Sequence, residues 1–558
     1  MSKYTIGVDF GTASGRAAVV DVKTGIELAD SVFEYPHGVM DSHLPEGTPL
    51  GLDWALQHPQ DYLDVLCHTI PSVITSSGVS PDDVIGIGID FTACTILPVK
   101  KDGTPLCTLP EFKNEPNAYV KLWKHHAAQD KANIINEKAE ETGQQWIKRY
   151  GGKVSSEWQL PKVWQTLAEA PQVYNEADHF VEAADWVTWQ ICGVLTKNTC
   201  CAGYKGLWHH KDGYPSKEFL KSLDPRLENF VEEKLNYPIA QLCSRVGGLT
   251  KDMALKLGLN EGTTVTAPII DAHAAFPAVK ITKPDTLLAI MGTSTCHIIV
   301  SEEEHLVPGI SGVVAGGVYP GLYAYEAGQA CVGDHFSWFV ENCVPPSYFE
   351  EAKSQNINIH QLLRRKAEKQ KPGQSGLVAL DWWNGNRSTL VDGDLTGMML
   401  GMTLRTKPED IYRALIEATA YGTRKIVETY VSNGVKVNDI IASGGISQKD
   451  PMAMQIYADV LNMPIKIAGT TQCGALGSAI YAAVAAGEEK GGYSDIFTAA
   501  GAMGKLKETV YIPKKDNVAL YNSLYLEYNI LYDYFGTGAN DVMKRLKNLK
   551  KSINELEG

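Results

Sequence analysis

The chain lacks the features that would place it in a membrane, in the secretory pathway or on a nucleic acid. No run of about 18 uncharged apolar residues could span a bilayer, and the start, MSKYTIGVDFG, has no signal-peptide pattern. The formal net charge is -14, and no long basic stripe appears before the tail. We therefore expect a cytoplasmic protein with no membrane or nucleic-acid partner.

Cysteine pairs at the spacing of metal ligands are also missing. The 11 cysteines contain no C-x-x-C pair, and their number is odd. These facts disfavour both a zinc site and a disulfide framework, so we expect reduced, mostly buried thiols. With 558 residues and 44% hydrophobic residues, the chain is long enough for two large folded domains.

Three familiar nucleotide motifs can be excluded at the opening stretch, IGVDFGTASGRAAVV. Asp9-Phe10-Gly11 matches the magnesium motif of protein kinases, but only eight residues precede it, which leaves no room for the other kinase motifs. Gly7, Gly11 and Gly15 are spaced by four and lead into a strand, unlike a dinucleotide fingerprint. No G-x-x-x-x-G-K-[ST] sequence occurs, which excludes a P-loop.

The remaining interpretation of this stretch is a β-hairpin whose turn carries polar groups. Backbone N–H groups at Gly11 and Thr12, with the hydroxyls of Thr12 and Ser14, could cradle a phosphate that Arg16 neutralises. Asp9, at the end of the apolar strand, could reach a magnesium ion through water. The alternative is an ordinary polar hairpin turn.

A second strand-turn-strand unit, DTLLAIMGTSTCHIIVS, repeats this pattern at Asp285 to Ser301. Its turn residues Gly292 and Thr293 correspond to Gly11 and Thr12. Alternating helix and strand patterns follow it, as in an α/β unit. This internal repeat suggests two related α/β domains, each presenting a hairpin turn to a shared cleft.

Asp271 lies where the apolar stretch TAPII meets a helix start rich in small residues. A carboxylate in this position could accept a proton from a substrate hydroxyl, or it could cap the helix, and both interpretations stay open. We interpret His273 as a packed neighbour that orients Asp271 rather than as a metal ligand. Helical periodicity dominates Glu115 to Ile147 and then SSEWQLPKVWQTLAEAP and EAADWVTWQICG, which predicts a helical insertion beside the first sheet.

Two further groups of residues suit ligand binding. The strand, Gly444-Gly445 turn and helix start in IASGGISQKD would let the backbone approach a flat or anionic ligand, or form only a tight turn. Lys205, Glu326 and Asp90 lie among aromatic residues and could bond sugar hydroxyls. Each could instead belong to a structural ion pair.

Taken in order, these stretches resemble the FGGY family of carbohydrate kinases. The similarity runs from residue 4 to about residue 485 and includes D-F-G-T-x-S-x-R, SSEWQLPKVWQTL, D-x-H-A-A at 271 and M-G-T-S-T at 291. Within the family, PEFKNEPNAYVKLWKHHAA, CCAGYKGLWH and LDWWNGNRS are most similar to the members that act on L-ribulose.

This resemblance implies an α/β, actin-like (ribonuclease H-like) duplicated ATPase fold with two domains around a central cleft. Residues 1–275 would form the N-terminal domain, with the sugar site and the first phosphate loop. Residues 276–558 would form the C-terminal domain, which binds the nucleotide and ends in a charged helical tail. ATP and Mg²⁺ would lie in the cleft, with the sugar held deeper.

The resemblance also implies ATP-dependent phosphorylation of L-ribulose at O5, in L-arabinose catabolism. Asp271 would accept the hydroxyl proton, and Asp9 would position Mg²⁺ through water. Nucleotide contacts would come from Thr12, Ser14, Arg16, Gly292, Thr293, Gly444 and Gly445, and sugar contacts from Ala93, Lys205, Asp271 and Glu326.

Several alternatives remain open within this resemblance. The substrate could be a related pentulose, D-ribulose or D-xylulose, and the chain could be a non-catalytic nucleotide switch of the same fold. Any of Gln448, Lys449 and Asp450 could lie at the adenine. A homodimer is a further expectation that one sequence leaves open.

Overall fold

The computed structural model describes residues 2–557. In the first half of the chain, seven strands form one large sheet, and the other strands form two smaller sheets. The strands are β1 (Tyr4–Phe10), β2 (Ser14–Asp21), β3 (Glu27–Glu34), β4 (Leu56–Gln57), β5 (Val84–Phe91), β6 (Ile96–Val99), β7 (Val120–Lys121), β8 (His179–Glu182), β9 (Lys197–Asn198), β10 (Ile239–Ala240), β11 (Arg245–Gly248), β12 (Thr264–Thr266) and β13 (Ile269–Ile270). The helices are α1 (Pro59–Ser77), α2 (Gln129–Glu141), α3 (Gln159–Glu169), α4 (Pro171–Glu176), α5 (Ala183–Cys192), α6 (Thr199–Tyr204), α7 (Lys217–Leu223), α8 (Phe230–Lys234), α9 (Lys251–Leu257) and α10 (Asp271–Ala278).

The second half is built around another seven-stranded sheet. Its strands are β14 (Thr286–Met291), β15 (Thr295–Ser301), β16 (Gly312–Ala315), β17 (Tyr323–Gln329), β18 (Val378–Leu380), β19 (Met398–Leu400), β20 (Asp439–Ser443), β21 (Ile465–Ala468) and β22 (Leu506–Tyr511). Its helices are α11 (Gly333–Cys343), α12 (Pro346–Ser354), α13 (Ile359–Ala367), α14 (Pro408–Ser432), α15 (Gly445–Lys449), α16 (Pro451–Leu461), α17 (Cys473–Ala486), α18 (Ile496–Met503), α19 (Lys515–Gly536) and α20 (Val542–Glu557).

The two sheets repeat one topology. In the first, β1, β2 and β3 form an antiparallel meander, and β5 and then β12 continue the sheet in parallel on the other side of β1. In the second, β14, β15 and β17 form the meander, and β20 and then β21 continue in parallel. The predicted duplication of an α/β unit is therefore confirmed. The division predicted between residues 275 and 276 stays a prediction, and it falls within α10.

The middle of the first sheet has one bulky face and one small face. Val8 and Ile89 pack beneath α1, whereas Gly7 and Gly88, on the opposite face, lie against α17. A Cβ atom at either glycine would collide with a backbone carbonyl of α17. Because side chains alternate along a strand, Asp9 lies on the same small face as Gly7. The packing of α17 therefore covers the strand end that carries Asp9.

Helices α10 and α17 lie between the two sheets. They share a buried apolar cluster with residues of both sheets, such as Val20 of β2 and Ile298 of β15. The outer faces are covered by α1, α5 and α9 on the first sheet and by α14, α16 and α19 on the second. Residues from the two halves of the chain thus line one central cleft.

The expected helical insertion is only partly helical. Between Glu115 and Ile147, α2 is the one α-helix in the described chain, and it is preceded by a 3-10 turn and by β7. β7 joins a four-stranded sheet in the order β4-β7-β6-β8, whose other strands lie outside these residues, whereas the two later segments form α3 and α5 as predicted. The apolar residues of the insertion pack into an irregular core, which periodicity alone did not distinguish from a helix. None of the helices within residues 2–557 is long and apolar enough to cross a membrane.

Candidate active site

The first candidate phosphate turn joins β1 to β2. The Gly11 N–H donates to the Ser14 carbonyl at 2.9 Å and closes the turn. Behind it, the Tyr35 hydroxyl donates to the Gly11 carbonyl at 2.9 Å, and Gln57 Nε2 donates to the Thr12 carbonyl at 2.7 Å. Two carbonyls of the turn are thus held by the surrounding protein, which constrains the turn's shape.

The second candidate turn, between β14 and β15, is closed in the same way. The Gly292 N–H donates to the Ser294 carbonyl at 2.9 Å. The carbonyls of Gly292 and Thr293 accept the N–H groups of Gly333 and Val332 at 2.9 and 2.8 Å. The similarity of GTAS and GTS in the sequence therefore corresponds to two turns of equivalent construction.

The Gly444-Gly445 turn lies beside the second phosphate turn because β20 pairs with β14. Gly444 has a φ of 86°, and a Cβ atom there would collide with the Met291 carbonyl, so glycine is required. Gly445 is exposed and faces open space. The backbone at this turn is therefore accessible to a flat ligand.

The residues after this turn already have structural partners. Gln448 Nε2 donates to the Ala468 carbonyl at 2.8 Å, and Asp450 caps α16 by accepting the Ala453 N–H at 3.0 Å. Lys449 is exposed, and its carbonyl accepts a hydrogen bond from Arg364. None of these contacts assigns an adenine ligand among the three residues.

Asp9 and Asp90 lie opposite each other in the parallel register of β1 and β5. A Cβ atom placed on Gly474 of α17 would lie 2.9 Å from Asp9 Oδ2 and 3.2 Å from Asp90 Oδ1, so both carboxyls converge there. Burial raises the pKa of Asp9, while Asp90 and Arg16 lower it in part. Burial and the Asp9 charge raise the pKa of Asp90 further, so Asp90 is the partner that retains a proton.

Asp90, which the sequence suggested as a sugar contact, instead lies beside Asp9 at the first candidate phosphate turn. Its Oδ2 accepts a 2.6 Å hydrogen bond from Ser478 of α17, and its side chain is fully buried. Only the packing of α17 on the sheet creates this contact. The one available signal in the sequence was a carboxylate at the end of an apolar strand, as at Asp9.

Asp271 is the first residue of α10 and is half-buried. Its Oδ1 accepts the N–H of Ala272 at 2.6 Å. Burial, followed by the negative charge of Asp9, raises the pKa of Asp271 to about 7. Asp271 is therefore not the helix cap, because the N-cap position is Ile270 and has no side-chain cap hydrogen bond. The raised pKa gives the Asp271 carboxylate a basicity suited to proton transfer near neutral pH, and its role as a base stays a prediction.

A second group of charged residues, the charged cluster, consists of Lys205, Glu326 and Arg387. The first two act on Asp271 through their charges. Lys205 Nζ lies 3.3 Å from Glu326 Oε2, and Arg387 Nη2 lies 2.7 Å from Glu326 Oε1. Burial alone would raise the pKa of Glu326, but the two cations hold it at about 2. Arg387 was missed as a site residue, although it lies in the segment LDWWNGNRS.

His273 belongs to this charged cluster rather than to Asp271. Its ring stacks on Tyr204 with centroids 4.6 Å apart, and its Nε2 lies 3.5 Å from Glu326 Oε2. Burial lowers the pKa of His273 to about 4, so the ring is neutral. The expectation that His273 orients Asp271 is thereby corrected, because the contacts of His273 are with Tyr204 and Glu326.

The remaining candidates lie around the same cleft. Arg16 stands opposite Asp9 in the hairpin, and its Nε is 4.0 Å from Asp30 Oδ2. Ala93 is half-buried just beyond β5, and its carbonyl accepts the Thr95 hydroxyl at 3.2 Å. Trp123 was not predicted, yet its Nε1 donates to Thr12 Oγ1 at 3.1 Å. The first phosphate turn therefore has an aromatic neighbour from the insertion.

Asp271 thus interacts with charged residues from both halves of the chain. The charges of Asp9 and Glu326 raise the pKa of Asp271, and the charge of Lys205 lowers it. Family models of the N-terminal and C-terminal domains of the FGGY carbohydrate kinases match residues 4–276 and 287–486.

The chain belongs to the FGGY family of carbohydrate kinases.

Relatives within the FGGY family match this chain over almost its whole length. It is 56% identical to the ribulokinase of Halalkalibacterium halodurans over 550 residues, covering 98% of each chain. It is 55% identical to the ribulokinase of Geobacillus thermodenitrificans over 551 residues, covering 99% of this chain and 98% of the relative. The gluconate kinase of Lactobacillus acidophilus shares the fold, with a TM-score of 0.78, 18% identity and coverage of 96% and 99%. The predicted fold is thereby confirmed.

Proposed function

We propose that this chain transfers the γ-phosphoryl group of ATP to the O5 hydroxyl of L-ribulose, in L-arabinose catabolism. The observation that carries the proposal is that the charges of Asp9, Glu326 and Lys205 all act on the buried Asp271 carboxyl, whose pKa is raised to about 7. The near full-length similarity to ribulokinases supports the choice of sugar.

Asp271 is the general base of the proposed reaction. It accepts the O5 proton as the oxygen bonds to the γ-phosphorus and the bond from that phosphorus to the oxygen of ADP breaks. A carboxylate with a pKa of about 7 is partly ionised at neutral pH and is a stronger base than an exposed aspartate. Because phosphoryl transfer depends mainly on positioning and charge neutralisation, this alignment is the main contribution of the chain.

The sugar is held by the charged cluster and by the backbone near Ala93. Glu326 stays ionised and accepts hydrogen bonds from sugar hydroxyls, while Lys205 donates to them. Arg387 fixes the Glu326 carboxylate from its second oxygen. Buried charged groups with defined partners discriminate sugar stereoisomers well, because a misplaced hydroxyl leaves a buried group without a partner.

The nucleotide lies across the two turns in this proposal. Thr12, Ser14 and Arg16 contact phosphates from the first turn, and Gly292 with Thr293 from the second. Gly444 and Gly445 line the adenosine pocket, where the open space at Gly445 supports a close approach of the ligand. Closure of the two halves around both ligands would exclude water and limit hydrolysis of ATP.

The carboxyls at the end of β1 and β5 fit a hard divalent cation. Asp9 and Asp90 supply two converging carboxyl oxygens, and a cation would replace the proton that Asp90 retains. Asp9 would hold Mg²⁺ through water, and the ion would neutralise charge on the ATP phosphates.

We further propose that the enzyme is cytoplasmic and has no nucleic-acid partner. We also propose that it forms a homodimer, and light scattering can check this oligomeric state.

The direct test is ATP-dependent phosphorylation of L-ribulose by the purified chain with Mg²⁺. D-Ribulose, D-xylulose and glycerol are assayed in parallel at matched concentrations, and the product is analysed for the phosphate position. We expect the highest kcat/KM with L-ribulose and phosphate on O5. A preference for another sugar would contradict the substrate assignment, and no phosphorylation of any sugar would contradict the catalytic assignment.

A further inference from the structure

Two histidines and one aspartate cluster outside the cleft, behind the first phosphate turn. His37 follows β3, whereas His58 and Asp61 lie at the start of α1, and potential ligand atoms of all three lie within 4.8 Å of one another. His37 Nδ1 is 2.6 Å from Asp61 Oδ1, and the rings of His37 and His58 stack with centroids 4.3 Å apart. Two imidazoles and a carboxylate thus offer potential ligand atoms close to one another.

The chemistry and exposure of this cluster suit a transition-metal ion. Asp61 is fully buried, whereas the His37 side chain is 35% exposed, which leaves a path from solvent. Imidazole nitrogen with one carboxylate oxygen favours Zn²⁺ and related cations over Mg²⁺, which prefers oxygen ligands alone. We propose that His37, His58 and Asp61 bind one zinc-class cation, with water completing its coordination.

Binding requires one imidazole to rotate, because the His37 and His58 rings are stacked with their planes 19° apart and an imidazole nitrogen binds a metal in the plane of its ring. The Gln60 N–H donates to His58 Nδ1 at 3.2 Å, and the His37 N–H donates to Asp61 Oδ2 at the same distance. A cation replaces the proton between His37 and Asp61 and competes with the long cap bond at His58. The positive end of the α1 dipole opposes the cation, and the Asp61 carboxylate offsets that charge.

The site is linked to the phosphate turn by two side chains, and a third residue holds one of them. Tyr35, two residues before His37, donates its hydroxyl to the Gly11 carbonyl. Gln57, next to His58, donates to the Thr12 carbonyl. Tyr62, next to Asp61, donates to Gln57 Oε1 at 2.7 Å. A cation that joins the three ligands therefore restrains both side chains that hold the carbonyls of the turn.

Binding is tested by titrating the purified, metal-free protein with Zn²⁺ against a chromophoric chelator, without ATP or Mg²⁺. The variants are His37→Asn and His58→Ser, where serine preserves a cap acceptor for α1. His43→Asn, an exposed histidine outside the cluster, is the matched control. All four proteins keep the same 11 cysteines, so zinc bound by thiols contributes equally to each titration.

We expect one equivalent of Zn²⁺ to bind the wild type and the control, and at least tenfold weaker binding in the two cluster variants. Equal binding in all four proteins would overturn the site. Thermal melting of the metal-free proteins shows that the variants are folded, and Zn²⁺ should raise the melting temperature only where the cluster is intact.

The link to the turn is tested by hydrogen exchange of a peptide that covers residues 9–15. We expect Zn²⁺ to slow exchange there in the wild type and in His43→Asn, but not in His37→Asn. Unchanged exchange in a wild type that binds Zn²⁺ would overturn the restraint of the turn. Both readouts are independent of the sugar substrate, so they are separate from the test of the proposed activity.

Discussion

Arg387 donates a 2.7 Å hydrogen bond to one carboxylate oxygen of Glu326, while Lys205 contacts the other oxygen. One buried carboxylate is therefore held between two cations that come from opposite halves of the chain. Because both oxygens are constrained, the Glu326 carboxylate is fixed in orientation before any sugar binds. Such preorganisation reduces the conformational entropy that is lost when a substrate binds.

Replacing Arg387 should weaken sugar binding selectively. We expect Arg387→Ala to raise the KM for L-ribulose about tenfold or more, since a charge-assisted hydrogen bond contributes roughly 1.5–3 kcal/mol. The KM for ATP should change less than twofold, and Arg387→Lys should recover part of the loss. Steady-state kinetics with each substrate varied in turn measure both effects. Arg245→Ala, on an exposed residue, is the control, and an unchanged KM for the sugar would contradict the positioning role.

Removing the carboxylate of Asp271 should abolish most turnover. We expect Asp271→Asn to lower kcat by roughly 10²–10⁴-fold, the usual contribution of a positioned general base. ATP binding, measured by calorimetry, should be retained because Asp271 does not contact the nucleotide in this proposal. A kcat within threefold of the wild type would exclude Asp271 as the base.

Turnover should depend on pH through Asp271. Its pKa of about 7 means that the carboxylate is increasingly protonated, and unable to accept the O5 proton, as the pH falls below 7. We therefore expect kcat/KM for the sugar to fall about tenfold per pH unit on the acid side. A flat profile between pH 5.5 and 7 would contradict this assignment.

The raised pKa of Asp271 also affects the stability of the folded state. The folded pKa lies above the ordinary value of 3.8, so the folded state binds more protons and is progressively destabilised as the pH rises from about 4 to about 7. Asp271→Asn carries no such charge. Its melting temperature at pH 8 should therefore equal or exceed that of the wild type, which separates lost catalysis from lost folding. A lower melting temperature at pH 8 would argue against a buried, destabilising charge.

Arg16 should matter for ATP and little for folding. Its partner Asp30 lies 4.0 Å away on the surface, and exposed ion pairs contribute only about 0–1 kcal/mol. We expect Arg16→Ala to raise the KM for ATP and lower kcat, with a melting temperature close to that of the wild type. Asp30→Ala is the matched control, because it removes the same pair without removing the cation. Unchanged ATP kinetics would return Arg16 to a structural role.

Gly477 allows α17 to approach α10 closely. A Cβ atom there would collide with the Ala274 carbonyl of α10. We expect Gly477→Ala to lower the free energy of unfolding by roughly 1–3 kcal/mol, as overpacked core sites do, and to reduce kcat because α10 carries Asp271. Denaturant unfolding measures the first effect, and Gly393→Ala, at an open position, is the control. An unchanged unfolding midpoint would show that the helices can separate without cost.

The local patterns of the sequence determined much of the fold. Alternating apolar residues and the turn residues around Gly11 and Gly292 predicted both hairpins, and these hairpins proved to be the matching starts of two related sheets. The helical pattern over Glu115 to Ile147 was a poorer guide, since a mixed core with short strands can show similar spacing of apolar residues.

The sequence by itself determined the positions of Asp9 and Asp271, because Asp9 lies near the end of β1 and Asp271 follows β13, and such strand ends face a cleft in an α/β fold. Only the tertiary structure decided their partners. Ser478 reaches Asp90 from 388 residues away, and Arg387 reaches Glu326 from 61 residues away. Such contacts depend on how closely α17 packs against Gly7 and Gly88, and on where a loop crosses the cleft. Local periodicity cannot specify them, because it reports which face of an element is buried and not what that face meets.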